Sequence, residues 1–382
     1  MEFLKKFGIL NLLLVFVPIA IAMKFAGASE PTVFVLSAVA IIPLAGLMGR
    51  STEMLAHRVG PGIGGLMNAS FGNAAELIIA VSALRQGLIG VVKASITGSI
   101  LGNILLVLGA SFFAGGLRYN KQRFNATAAG MSATLLAIAA IGMLVPAMFH
   151  AHLVIHHEVA NEKDLSLEIA VVLFAVYVLL LLFSLKTHKH LYNSEAEDGQ
   201  QETEEKETGG PFPELEYETD EANVWPVKTA IAVLIGATVC VAVMSELLVG
   251  AIEVTSQRLG WTHIFVGIFV VAIVGNAAEH SSAILAAMKN RMELGFQIAV
   301  GSGLQVALFV APLLVFISYL PGFPVTLDLV FSMMEVVAVA VSVLIVGLVA
   351  YDGESNWMEG LLLLAVYLIL GIAFFHLPLP AH

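Results

Sequence analysis

Apolar runs of about 18 to 27 residues recur along the chain, separated by short polar breaks. At ~1.5 Å per residue each is long enough, as a helix, to cross roughly 30 Å of hydrocarbon. They predict helices near residues 6–24, 32–49, 64–86, 89–114, 125–148, 167–187, 226–250, 262–288, 294–318, 326–350 and 357–377. The expected fold is an all-α membrane protein with 11 transmembrane helices. Lys5, Lys6, the run Phe7 to Ala22 and then Ala26-Gly27-Ala28 resemble a signal peptide, but the run is long for a signal core, so residues 1–28 are expected to stay as an N-terminal helix.

One pentapeptide interrupts this apolar pattern twice. Gly-Asn-Ala-Ala-Glu stands at Gly72 to Glu76 and again at Gly275 to Glu279, in both cases inside an apolar run. Ionised Glu deep in a membrane helix costs roughly 2.5 kcal/mol or more to insert, so two such residues imply a partner or a task. At the same offset of 203, Gly98-Ser99 matches Gly301-Ser302, and Leu105 and Phe113 match Leu308 and Phe316. Residues 29–190 (helices two to six) and 225–382 (helices seven to eleven) therefore form two expected repeats. Each has an odd number of crossings, so the second enters from the opposite face. Inverted five-helix repeats place a site near the bilayer midplane, at their interface, and suit alternating access.

Composition narrows the class. Hydrophobic residues are 58% of the 382 and charged ones 12%, with a strongly positive mean hydropathy, outside the usual range of soluble domains. The net charge of −11 is local: residues 195 to 221 hold 12 of the 29 acids and one base, Lys206, leaving 17 acids and 17 bases elsewhere. That argues against a nucleic-acid partner. Residues 191–224 are expected to be an acidic linker between the repeats. The plain reading is a solvated tether; the sharper one is a loose divalent-cation sensor. Placing the N-terminus and this linker in the cytoplasm puts 13 of the 18 bases inside and leaves Lys24, Arg85, Lys93, Lys163 and Arg258 outside. The single cysteine, Cys240, reads as a small hydrophobe.

The chemistry is expected where the repeats meet. Asn73 and Glu76 stand i and i+3 on the third helix; Ser99 and Asn103 stand i and i+4 on the fourth, where Gly98 and Gly102 would let it approach the third. Asn276 and Glu279, then Ser302 and Gln305, repeat the set, Gln305 being one position off the strict match to Asn103. Carboxylates, carboxamides, hydroxyls and freed carbonyls are oxygen donors of the kind calcium prefers, and two carboxylates balance one divalent cation. Soft ligands are missing at matched positions, which disfavours zinc, copper and iron. Emptied of metal, two desolvated carboxylates would repel each other, so protons should take the cation's place. Such competition is the minimal mechanism of an antiporter. His280 follows Glu279 and is i+4 from Asn276, so it is a proton-coupling candidate or a packed polar contact. Glu246 and Glu335 have no repeat counterpart and rank as accessory. The histidines at 150, 152, 156, 157, 188 and 190 read as solvated imidazoles at helix ends, and Pro312 as a kink in the ninth helix. No His-Glu-x-x-His, nucleotide motif or Ser/His/Asp set accompanies the glutamates, so no enzyme is expected. A channel would show no countertransport.

The runs Gly64-Gly65-Leu66-Met67-Asn68-Ala69-Ser70-Phe71-Gly72-Asn73-Ala74-Ala75-Glu76, Gly275-Asn276-Ala277-Ala278-Glu279-His280 and Gly301-Ser302-Gly303-Leu304-Gln305 resemble the signature repeats of the calcium/cation antiporter superfamily, in its calcium/proton exchanger branch. The likeness spans nearly the whole chain. It implies that Glu76 and Glu279 are the shared cation and proton ligands, surrounded by Asn73, Asn276, Ser99, Asn103, Ser302 and Gln305. Calcium export would then be driven by proton entry, with Ca2+ as substrate rather than cofactor, and no protein partner is predicted. The sodium/calcium branch typically carries a Gly-Thr-Ser-x-Pro-Glu type of motif, which neither copy here has. A sodium-coupled exchanger or another divalent-cation antiporter is the alternative. Short termini and a short loop resemble prokaryotic members, pointing to the cell membrane.

Overall fold

The structure is a computed structural model that describes residues 9–59, 64, 67, 70–157, 161–187 and 225–378. The chain is mostly helical. After a 3-10 turn at Ile9–Val15, the helices are α1 (Phe16–Phe25), α2 (Glu30–Val59), α3 (Ala74–Arg85), α4 (Ile89–Gly116), α5 (Ala126–His156) and α6 (Glu162–Thr187). There follow α7 (Val227–Gly250), the short α8 (Ile252–Leu259), α9 (His263–Met288), α10 (Met292–Ser318), α11 (Met333–Val349) and α12 (Trp357–Phe375). Eight of these are long and apolar enough to cross a membrane; α1 and α11 are shorter apolar helices. The acidic linker, with His188 and His190, lies outside the described residues.

Polar residues fix the helix starts. Asn125 caps α5 through Ala128 N, and Ser332 with Glu335 and Asn356 with Glu359 form reciprocal capping boxes that open α11 and α12. The chain's turns gather at two ends. At one, β1 (Gln122–Arg123) pairs antiparallel with β2 (Glu354–Ser355), and Arg118 and Gln122 donate to the carbonyls of Met288 and Ala287. At the other, Arg85 stacks on Phe323, Gln86 donates to Glu246, and Tyr319 donates to the Lys163 carbonyl. The helices between these ends therefore cross the body alternately. Of the eight, the most enclosed are α4 and α10, whereas α12 is mostly exposed and presents its apolar residues outward.

Three expectations need correction. The run 64–86 is not one regular helix: Gly72 and Asn73 form a turn and α3 begins at Ala74, so Asn73 precedes the helix that carries Glu76, its side chain making no cap bond, instead of sharing its face. The run 326–350 is helical only from Met333, because the Ser332 capping box sets its start. Residues 326–332 form an extended strap, with Leu327, Leu329 and Phe331 buried and alternate residues turned the other way. Its Leu327 and Leu329 amides donate to Ser318 Oγ and Ser166 Oγ at 2.9 and 3.0 Å. Buried non-helical backbone survives only where other protein groups satisfy it. Lastly, Gly98 does not admit α3. A Cβ there would stand 2.4 Å from the Cα of Ile268, so the glycine lets α4 cross the first half of α9 backbone to backbone, while Gly102 faces open space.

Candidate cation site

α4, α9 and α10 are each widened into a π-helical turn, at Gly102–Val107, Val266–Val271 and Val306–Val310. Such turns loosen the backbone ladder and often mark functional sites. Asn103 stands in the first, Asn276 follows the second by just over one turn, and Gln305 immediately precedes the third. Pro312 sits just beyond the third, where a break in regular α geometry accommodates its missing amide hydrogen.

The six neutral residues expected at the site meet in one network, none more than 7% exposed. Asn276 is its hub. Its Nδ2 donates to Ser99 Oγ at 3.0 Å and to the Ala272 carbonyl at 2.9 Å, while its Oδ1 accepts from Asn103 Nδ2 at 3.2 Å. Asn103 Nδ2 also donates to Ser302 Oγ at 2.9 Å, and Ser302 Oγ donates to Asn73 Oδ1 at 3.3 Å. Asn73 Nδ2 closes the chain on Gln305 Oε1. Apart from the Ala272 contact, each of these bonds joins a residue before the linker to one after it.

The glutamates flank this network. Glu76 lies in the first turn of α3 and packs against Gly275 of α9, which holds Asn276 and Glu279. Glu279 stands one turn beyond Gly275 on the same helix. Oε2 of Glu76, Oε2 of Glu279 and Oδ1 of Asn103 are buried and accept no hydrogen bond among the described residues. Three acceptor oxygens without donors, two of them from carboxylates, form a donor set suited to a hard cation or to protons. A small cavity reaches Glu76 and Ser99 and is lined further by Ser95 and Ile96 of α4 and Leu314 of α10. Ile79 and Ala80, also in its wall, follow Glu76 along α3, so the cavity runs toward the end that carries Arg85 and Phe323.

His280 is half-buried and makes no hydrogen bond among the described residues, so it stands apart from the network. Glu246 is exposed on α7 and accepts from Ser82 and Gln86. Glu335 is buried, but Ser332 and Thr97 occupy its oxygens. Ser95, one turn before Ser99 on the same face, is a further polar residue of the cavity, and its i,i+4 spacing from Ser99 is the signal of it in the sequence. The π turns carry no comparable sequence mark.

The sequence pattern described as sodium/calcium exchanger protein matches residues 29–186 and again residues 229–375. The chain is 46% identical over 375 residues to a protein of Synechocystis sp. named Ca(2+)/H(+) antiporter, covering 98% of each. Its fold is similar to that of the solved native YfkE, with a TM-score of 0.79 and 40% identity, over 97% of this chain and 100% of the other. A solved structure named H+/Ca2+ exchanger CAX shares the fold alone, at a TM-score of 0.62 and 14% identity, over 96% of this chain and 91% of that one.

Proposed function

Because the chain belongs to the sodium/calcium exchanger protein family, we propose that it exchanges Ca2+ for H+ across a membrane at a site built by Glu76 and Glu279. The observation that carries this reading is the trio of buried acceptor oxygens, Glu76 Oε2, Glu279 Oε2 and Asn103 Oδ1, none of which has a donor among the described residues. Ca2+ takes these oxygens when both carboxylates are ionised; protons take the carboxylates when it leaves. The network around Asn276 holds the two halves at a fixed spacing, so one spot serves both ligands in turn. The names of the relatives, which are those of antiporters, support Ca2+ and H+ as the exchanged pair.

The protein is a multi-pass membrane protein, and the reading includes a finer architecture. Eleven crossings, an N-terminal helix plus two inverted five-helix units at 29–190 and 225–382, bring one glutamate from each unit to the midplane. Two separate matches to one family pattern, lying within these two stretches, support related units. The N-terminus and acidic linker face the cytoplasm of the cell membrane, in keeping with the excess of bases on that side. Alternating access then needs only that the cavity beside Glu76 close at one end while a path opens at the other.

Purified protein in sealed proteoliposomes tests the exchange. Calcium uptake should follow an imposed pH gradient and should vanish in Glu76→Gln and in Glu279→Gln. Coupling retained in either variant, or uptake that follows a sodium gradient at clamped pH, would overturn the reading.

A further inference from the structure

The strap at 326–332, with its only acid Asp328, bridges α4 and α10, two of the helices that flank the cavity. On α4, Lys93 Nζ donates to Asp328 Oδ1 at 2.5 Å and to the Val330 carbonyl at 2.7 Å. On α10, Ser318 Oγ accepts from the Leu327 amide at 2.9 Å. Lys93 is two and three residues from the cavity-lining Ser95 and Ile96, and Ser318 is one turn from the cavity-lining Leu314. Lys93 and Ser318 therefore stand one turn beyond the cavity-lining Ile96 and Leu314, on the side from which a cation would reach Glu76. The ammonium is also poorly hydrated, with side-chain exposures of 15% for Lys93 and 27% for Asp328.

A fixed positive charge beside a narrow, low-dielectric path repels a divalent cation twice as strongly as a monovalent one. Lys93 escapes that consequence only because its ammonium is held against the strap. Asp328 is held in its turn: its Oδ1 also accepts from the Val330 amide at 2.8 Å, while buried Leu327, Leu329 and Phe331 pin the strap on either side. We propose that Asp328 sequesters the Lys93 ammonium away from the calcium path, making the pair a determinant of divalent-cation access to the site. The inference rests on the exchange reading for its substrate and adds to it a residue pair outside the duplicated motifs.

The pair can be dissected in proteoliposomes by reading the half-saturating Ca2+ concentration. Asp328→Asn frees the ammonium and should raise half-saturation about tenfold, the gap shrinking as ionic strength rises. Lys93→Met removes the cation and leaves the Asp328 carboxylate, so half-saturation should stay at or below the wild-type value, and the double variant Lys93→Met/Asp328→Asn should return to within about twofold of wild type. A double variant as impaired as Asp328→Asn would identify a structural latch and overturn the proposal, as would an unchanged Asp328→Asn. Should Asp328→Asn fail to fold, the double variant compared with Lys93→Met decides alone. Half-saturation is read with whichever gradient drives uptake, so a wild type without proton coupling would sink the exchange reading and still leave this comparison to decide.

Discussion

Glu76 rests on Gly275: a Cβ added to that glycine would stand 3.1 Å from Glu76 Cγ and 3.6 Å from Oε1. Gly275 lies inside α9, where glycine costs about 1 kcal/mol relative to alanine. The helix would gain from alanine, and the site would lose the room in which one glutamate approaches the backbone that carries the other. Gly275→Ala is expected to melt at or above the wild-type temperature while its half-saturating calcium rises about tenfold, the equivalent of ~1.4 kcal/mol. Thermal melting in detergent and calcium uptake in vesicles read the two quantities separately. Wild-type half-saturation in the folded variant would contradict the packing argument.

The hub role of Asn276 makes a different demand. Leucine there removes the bonds to Ser99, Asn103, Ser302 and the Ala272 carbonyl, four contacts that average about 0.6 kcal/mol each inside a membrane, or about 2 kcal/mol together. Asn276→Leu should lower the melting temperature by several degrees and abolish uptake. Ser99→Ala, which removes a single acceptor, should lower stability by less than half as much.

Competition for the same carboxylates fixes the sign of the pH dependence. Metal ligands must be deprotonated, so calcium binding releases protons and half-saturating calcium rises as pH falls, with unchanged binding capacity. Equilibrium binding of calcium to the purified protein between about pH 6 and 8 measures this. A half-saturation indifferent to pH would remove protons from the site.

What the sequence disclosed divides along physical lines. Asn73, Ser99, Asn276 and Ser302 were legible because intramembrane polarity is costly and their duplication at one offset leaves little to chance, and Asn103 and Gln305 because they stand about one turn beyond the two serines. The off-register Gln305 proved to be a partner of Asn73 across the halves. The π turns were not legible, since one extra residue per turn leaves composition unchanged. The strap was hidden by its own apolarity: Thr326 to Ser332 has one charge and reads as the start of a helix. Its buried Leu327, Leu329 and Phe331 do alternate, and that period of two was the available signal. The role of Gly98 was misassigned because small residues announce a close approach without naming the neighbour.

The contact between Gly98 and Ile268 leads to a paired test. A Cβ at Gly98 would lie 2.4 Å from both Cα and O of Ile268, which only a backbone shift can relieve, whereas a Cβ at Gly102 meets nothing within 4 Å. Gly98→Ala should reduce stability by about 2 kcal/mol or more and yield little monodisperse protein. Gly102→Ala should elute and melt like the wild type. Equal tolerance of both changes would mean that α4 and α9 do not cross where the structure has them.

Glu335 separates a buried carboxylate with a structural task from one that carries cargo. Its Oε2 accepts from the amide and hydroxyl of Ser332 at 3.0 and 2.7 Å, and its Oε1 accepts from Thr97 Oγ1 at 3.1 Å. An amide preserves this pattern, because the Gln oxygen can serve Ser332 while its NH2 donates to the Thr97 hydroxyl, and Gln stands equally well at this position of a capping box. Glu335→Gln is therefore expected to keep proton-coupled uptake near the wild-type level, in contrast to Glu76→Gln. Glu335→Ala loses the cap and the Thr97 bond together and should cost about 1–2 kcal/mol in melting experiments. If Glu335→Gln abolished coupling as fully as Glu76→Gln, a third carboxylate would have to take part in the exchange, and Thr97 on α4 would connect it to the face opposite Ser99.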